Sequence, residues 1–122
     1  RGIITEINTF GYIGCEAAYN EGGPWRLELL DYLKSNRDHL YDFVSENIPQ
    51  IKMRPMEATY LAWMDVSGLG LENPVAYFES HGVGLSDGAF FGAKDHVRFN
   101  FGCARSLMKE GLQRMQGAVA SL

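Results

Sequence analysis

The 25 residues from Pro24 to Ile48, "PWRLELLDYLKSNRDHLYDFVSENI", constrain this chain more than any other stretch. Pro24 sits where a first-turn proline loses no hydrogen bond, and Pro49 stops the run. Leu29, Leu33, Leu40 and Val44 fall on one helical stripe that Trp25 and Ile48 extend, while Arg26, Glu28, Lys34, Arg37 and Asp38 fall mostly elsewhere. At about 1.5 Å per residue, such a helix is on the order of 36 Å long, more than a compact domain of this size requires. It is expected to bridge to a second body.

The flanking pattern supplies the other elements. "GYIGCEAAYN", residues 11 to 20, is a short helix closed by a Gly-Gly break; residues 1 to 10, "RGIITEINTF", are a poorly patterned lead-in. "QIKMRP" reads as a short strand and "EATYLAWMDV", residues 57 to 66, as a longer one. Its run Tyr60 to Met64 is apolar at successive positions, which predicts cover on both faces by helices or another domain. Asn73 caps a helix that Pro74 opens, "VGLS" is a brief strand, and "DGAFFGAKD" is a Gly-rich loop. From Ala104 onward a last helix lines up Met108, Leu112, Met115, Val119 and Leu122. The order α, α, β, β, α, β, β, α predicts an α+β fold with a small, mostly antiparallel sheet.

"HVRFNFGCAR", residues 96 to 105, alternates apolar Val97, Phe99 and Phe101 with polar Arg98 and Asn100, then turns at Gly102 into that helix. Arg98 is either a solvated charge on an open sheet face or a guanidinium held on a rigid strand to grip a carboxylate through paired hydrogen bonds. Gly88 and Gly92 flank two phenylalanines in a loop that approaches a ligand or is an ordinary connection. Cys103 lies near a helix start, where a thiol can be activated, but a packed structural cysteine is the commoner case.

Some classes are excluded. The net charge of −4 and the lack of a Lys/Arg cluster argue against nucleic acid, and no apolar run approaches the length of a membrane helix. His39, His81 and His96 share no ligand spacing, so no metal is expected. Cys15 and Cys103 match no metal pattern either, and two unpaired thiols suit a reducing, cytoplasmic setting.

Three blocks then carry a resemblance: "GYIGCEAAYNEGGPWRLELLDYLKSNRDHL", "EATYLAWMDVSGLGL" and "GVGLSDGAFFGAKDHVRFNFGCARSLMKEGLQRM". From Gly11 to Met115 the chain resembles the C-terminal third of class I/II aminotransferase-like, pyridoxal-phosphate-dependent C–S lyases of the cystathionine β-lyase type, the MalY/PatB subgroup. The resemblance implies the small C-terminal α+β domain of a fold-type I enzyme at residues 49–122. A long interdomain helix would span 24–48, and the tail of the large cofactor domain 1–23. It implies that Arg98 binds the substrate's α-carboxylate, with Gly88, Phe90 and Phe91 as further substrate-binding candidates in the Ser86–Gly92 segment; "SDG" stands where many relatives carry a proline before the glycine.

The lysine that links to pyridoxal 5'-phosphate, the carboxylate on its ring nitrogen and its phosphate cup belong to the large domain, which this chain lacks. Lys34, Lys52, Lys94 and Lys109 lie in no such motif, so the chain alone is expected to hold no covalent cofactor and no catalytic residue. The parent is expected to be a homodimer that eliminates a thiol from a cystathionine- or cysteine-like substrate. Transamination in the same fold, or a stand-alone carboxylate- or protein-binding domain, are the alternatives.

Overall fold

A computed structural model describes residues 7–122; of the lead-in expected at residues 1–10, residues 1–6 lie outside the described residues, and Thr9 and Phe10 belong to the first helix instead. The chain divides into two compact units, Arg1–Tyr32 and Leu33–Leu122, and the boundary falls within the long helix.

In the first unit, helix α1 (Thr9–Glu21) starts at Asn8, whose side-chain oxygen accepts from the Gly11 N–H, and ends at Gly22. It buries none of its residues. Helix α2 (Gly23–Asn47) begins here and continues into the second unit.

The second unit is a four-stranded sheet with helices packed on one face. Strands β1 (Lys52–Met53), β2 (Leu61–Asp65), β3 (Ser86–Asp87) and β4 (His96–Asn100) lie in the order β1-β2-β4-β3, every neighbouring pair antiparallel. Helices α3 (Pro74–Ser80) and α4 (Arg105–Ala120) complete it. The α+β class and the element order are as expected from the sequence. Strand alternation puts Ala62, Met64, Val97 and Phe99 on one face, where they join Leu40, Val44 and Ile48 of the α2 segment, Phe78 of α3, and Met108, Leu112, Met115 and Ala118 of α4 in one core.

Two local expectations, at "VGLS" and on α4, are corrected. On β2 the described residues of this chain cover one face, and Trp63 on the other stays 36% exposed between buried Ala62 and Met64. An apolar run cannot distinguish a doubly buried strand from one whose outer face carries aromatic side chains. Strand pairing at "VGLS" starts only at Ser86, because Val83 bonds back to the end of α3. On α4 the buried stripe runs Met108, Leu112, Met115, Ala118, and Leu122 is exposed past the helix end.

One polar group is fully enclosed in the core. Asn36 donates from Nδ2 to the carbonyls of Phe101 (3.0 Å) and Cys103 (3.1 Å), and its Oδ1 accepts from Arg105 Nε (3.0 Å). It ties α2 to the turn that leads from β4 into α4. Asn36→Leu keeps the branched shape with slightly more bulk but leaves two buried carbonyls without that donor and Arg105 Nε without that acceptor, so stability falls by about 2 kcal/mol in urea unfolding.

Candidate functional site

The face of the sheet opposite the core carries two rows of side chains set by strand register. Lys52, Asp65 and His96 are cross-strand neighbours in one row, and Trp63, Arg98 and Ser86 in the next. Alternation of period two places all six on this face.

Arg98 is half-buried at its centre. Its Nη2 donates to Ser86 Oγ at 3.3 Å, and its guanidinium carbon sits 4.8 Å from the centroid of the Phe91 ring. Its Nε is buried and has no hydrogen-bond partner. Among the described residues, no carboxylate oxygen pairs with it; the two ion pairs are Arg37–Asp38 and Arg114–Glu110. A guanidinium held by a neutral hydroxyl and an aromatic face, with no carboxylate paired to it, is chemically able to receive an anion.

Phe91 is placed by the 3-10 turn Gly88–Phe91. Asp87 opens this turn by accepting from the Ala89 N–H (2.8 Å), and Gly92 closes it in the left-handed region at φ 81°. Phe91 meets Trp63 edge-on (5.8 Å, 86°), and Trp63 stacks on His96 (5.3 Å, 23°). The Nδ1 of His96, like Arg98 Nε, is buried without a partner.

The sequence-derived candidates thus separate. Phe91 joins Arg98. Phe90 is 86% exposed next to it in the chain, and Gly88 is buried against the backbone carbonyls of His96 and Ala93. Ser86, Trp63 and His96 complete the group. The outward phase of β2 was the only sequence signal for Trp63, and it carries weight only once β2 is paired with β4. Tyr60 precedes β2 rather than lying in it, and its carbonyl accepts from Phe101 N–H. Before it, Thr59 takes φ 66°, a strained setting for a β-branched residue.

Asp65 shapes the electrostatics at the β1 side. Ser67, through its side chain and its backbone N–H (2.9 Å to Oδ1), lowers the Asp65 carboxyl below its ordinary value; His96 and Lys52 act in the same direction and partial burial opposes them. A depressed folded-state pKa adds stability above the unfolded value, near 3.9, that is lost as pH falls through the folded value. Asp65→Asn, which keeps an acceptor for Ser67, therefore lowers the melting temperature at pH 7, and the difference from the parent closes below about pH 4.

No family model matches the chain. It is 34% identical over 125 residues to the cystathionine beta-lyase PatB of Bacillus subtilis, an alignment covering 98% of this chain and 32% of that protein. The structure of OvoB superposes with a TM-score of 0.94 at 44% identity, covering 100% of this chain and 32% of that one. A PLP-bound C–S lyase from Staphylococcus hominis does so with a TM-score of 0.89 at 32% identity, covering 96% and 30%. The chain spans about a third of the length of the curated relatives it matches.

The fold is that of the small domain of fold-type I pyridoxal phosphate enzymes. Within that class the chain belongs to the family of the cystathionine beta-lyase PatB and MalY proteins, of whose length it matches about a third.

Proposed function

We propose that this chain supplies the substrate-carboxylate side of the active site in a pyridoxal-phosphate-dependent β-C–S lyase. The observation that carries the reading is Arg98: a half-buried guanidinium on a central strand, held by Ser86 and the Phe91 ring, with no carboxylate within ion-pair distance among the described residues. It takes the α-carboxylate of an amino acid substrate through paired charge-assisted hydrogen bonds. Phe91 and Ser86 hold the guanidinium in one orientation, so the rest of the substrate projects in a set direction from the sheet.

The residues present fit the substrate and not the cofactor. Lys34, Lys52, Lys94 and Lys109 are all exposed, and a single arginine against one aromatic ring is no phosphate cradle. The large domain of the parent, the partner this chain requires, would hold pyridoxal phosphate. When bound there, the cofactor supplies the electron sink for removal of the Cα proton. A homodimeric parent, in which residues 24–48 form the interdomain helix between 1–23 and the small domain at 49–122, completes the reading. Cys15 and Cys103, neither in a disulfide, agree with a cytoplasmic setting.

The test is the full-length protein, its visible spectrum recorded before and after borohydride reduction, followed by incubation with an S-substituted cysteine. A coloured band bleached by borohydride, with release of pyruvate, ammonia and thiol, is the expected result. Transfer of the amino group to a 2-oxo acid without thiol release establishes transamination instead.

A further inference from the structure

Among the described residues, Asn36 is the one buried polar side chain. Leu40, Val44 and Ile48 of the same α2 segment enter the core as apolar groups, and that packing is non-directional. The hydrogen bonds of Asn36 are directional. Its Nδ2 donates to the Phe101 and Cys103 carbonyls at 3.0 and 3.1 Å, and its Oδ1 accepts from Arg105 Nε at 3.0 Å. The best-attested use of a single buried polar side chain is to fix the register of the elements it joins.

One of the elements joined here carries Arg98. On one edge β4 pairs with β2 along its whole length, from His96 to Asn100; on the other, β3 pairs only at Val97 and Arg98. Beyond Arg98 that second edge opens onto a recess lined by Gly82, Gly84, Phe99 and Asn100 among others. The end of the strand is thus held by the sheet from one side, and Asn36 grips it from the helix. Phe101 lies three residues past Arg98, about 10 Å along an extended strand. In the other direction α2 runs back from Asn36 into the first unit, whose boundary at Tyr32–Leu33 is about one helical turn away.

We propose that Asn36 is a positioning residue for substrate binding: by pinning the end of β4 to α2, it sets where Arg98 stands relative to the part of the protein to which α2 leads. This rests on the reading of Arg98 given above. Asn36 touches no substrate; it acts through the strand, so that the guanidinium meets the carboxylate in the orientation its paired hydrogen bonds require. Without the tie, β4 keeps its pairing with β2 and the core keeps its apolar contacts. The strand end and the start of α4 are then free to shift against α2, and a shift of about 1 Å is enough to spoil an oriented contact.

The test titrates the full-length holoenzyme calorimetrically with two desamino analogues of S-methylcysteine, 3-(methylthio)propanoate and 3-(methylthio)propanamide. They differ only in the carboxylate, so the ratio of their dissociation constants reads its recognition and is unmoved by a loss of folded protein. The parent is expected to prefer the acid about tenfold, the effect of one charge-assisted hydrogen bond. Asn36→Asp keeps an acceptor for Arg105 but loses the donor to both carbonyls, and Asn36→Leu loses all three bonds. Both variants are expected to bring the ratio below about threefold, with the cofactor's visible absorption as in the parent. The parent's ratio in holoenzyme of either variant overturns the proposal. Failure of both variants to give folded holoenzyme also overturns it, by making Asn36 a requirement of the fold alone. Arg98→Ala, expected to bring the ratio near one, separates the two readings. If it leaves the ratio unchanged, or if the parent shows no preference, the carboxylate role of Arg98 has failed and that of Asn36 with it. If Arg98→Ala abolishes the preference and the Asn36 variants keep it, only the positioning role has failed.

Discussion

Arg98→Ala in the full-length protein lowers kcat/KM for thiol elimination by about 2–4 kcal/mol, roughly 30- to 700-fold, while the cofactor's visible absorption stays as in the parent. The magnitude follows from what the guanidinium does. It is half-buried, its Nε has no protein partner, and its Nη2 is held by Ser86 at 3.3 Å. If Arg98 takes the substrate carboxylate as proposed, alanine removes the hydrogen bonds between them and leaves that carboxylate beside the Phe91 ring without a counter-charge. Arg98→Lys restores the charge as a point donor but not the fork, so it recovers only part of the loss. Kinetics measured for both variants over a range of substrate concentrations check this. Unchanged kcat/KM in Arg98→Ala returns the residue to a solvated face charge.

Gly88→Ala costs about 3 kcal/mol of stability, the upper end for overpacking a close contact. A Cβ at this position would lie 2.3 Å from the His96 carbonyl oxygen and 2.4 Å from that of Ala93. Both are backbone atoms, so no side chain can swing away, and the β3–β4 connection must move instead. Gly92 is the internal control. It lies in the same turn with open space around it, and its constraint is only its φ of 81°. Gly92→Ala is therefore expected to cost nearer 1 kcal/mol. Urea midpoints of the two variants decide it, and equal losses would show that the close approach is not what Gly88 is for. The clash acts on the carbonyl of His96, two residues before Arg98, so Gly88→Ala in the full-length enzyme also weakens substrate binding.

What the sequence determined by itself was local. The prolines at 24 and 49, the Asn73–Pro74 start and the alternation from Val97 to Phe101 each report on neighbours within a few residues. They placed the helices, strand β4 and the α+β class. The three quoted blocks also carried the family resemblance, and Arg98 with it. Pairing decided the rest. That Trp63 faces out and Met64 in depends on the partner of β2, and the apolar run from Leu61 to Met64 is equally compatible with two covered faces. Ser86, Trp63 and Phe91 are 12, 35 and 7 residues from Arg98 in the chain. Only the register Trp63–Arg98–Ser86 and the turn closed by Gly92 bring them to one guanidinium. His96 had no signal of its own in sequence, and its place on the outer face follows from pairing with Asp65. Hydrophobic period records which side of an element is buried, but not which other element lies beside it. A sheet face assembled from three strands and a turn is therefore visible only once the chain is folded.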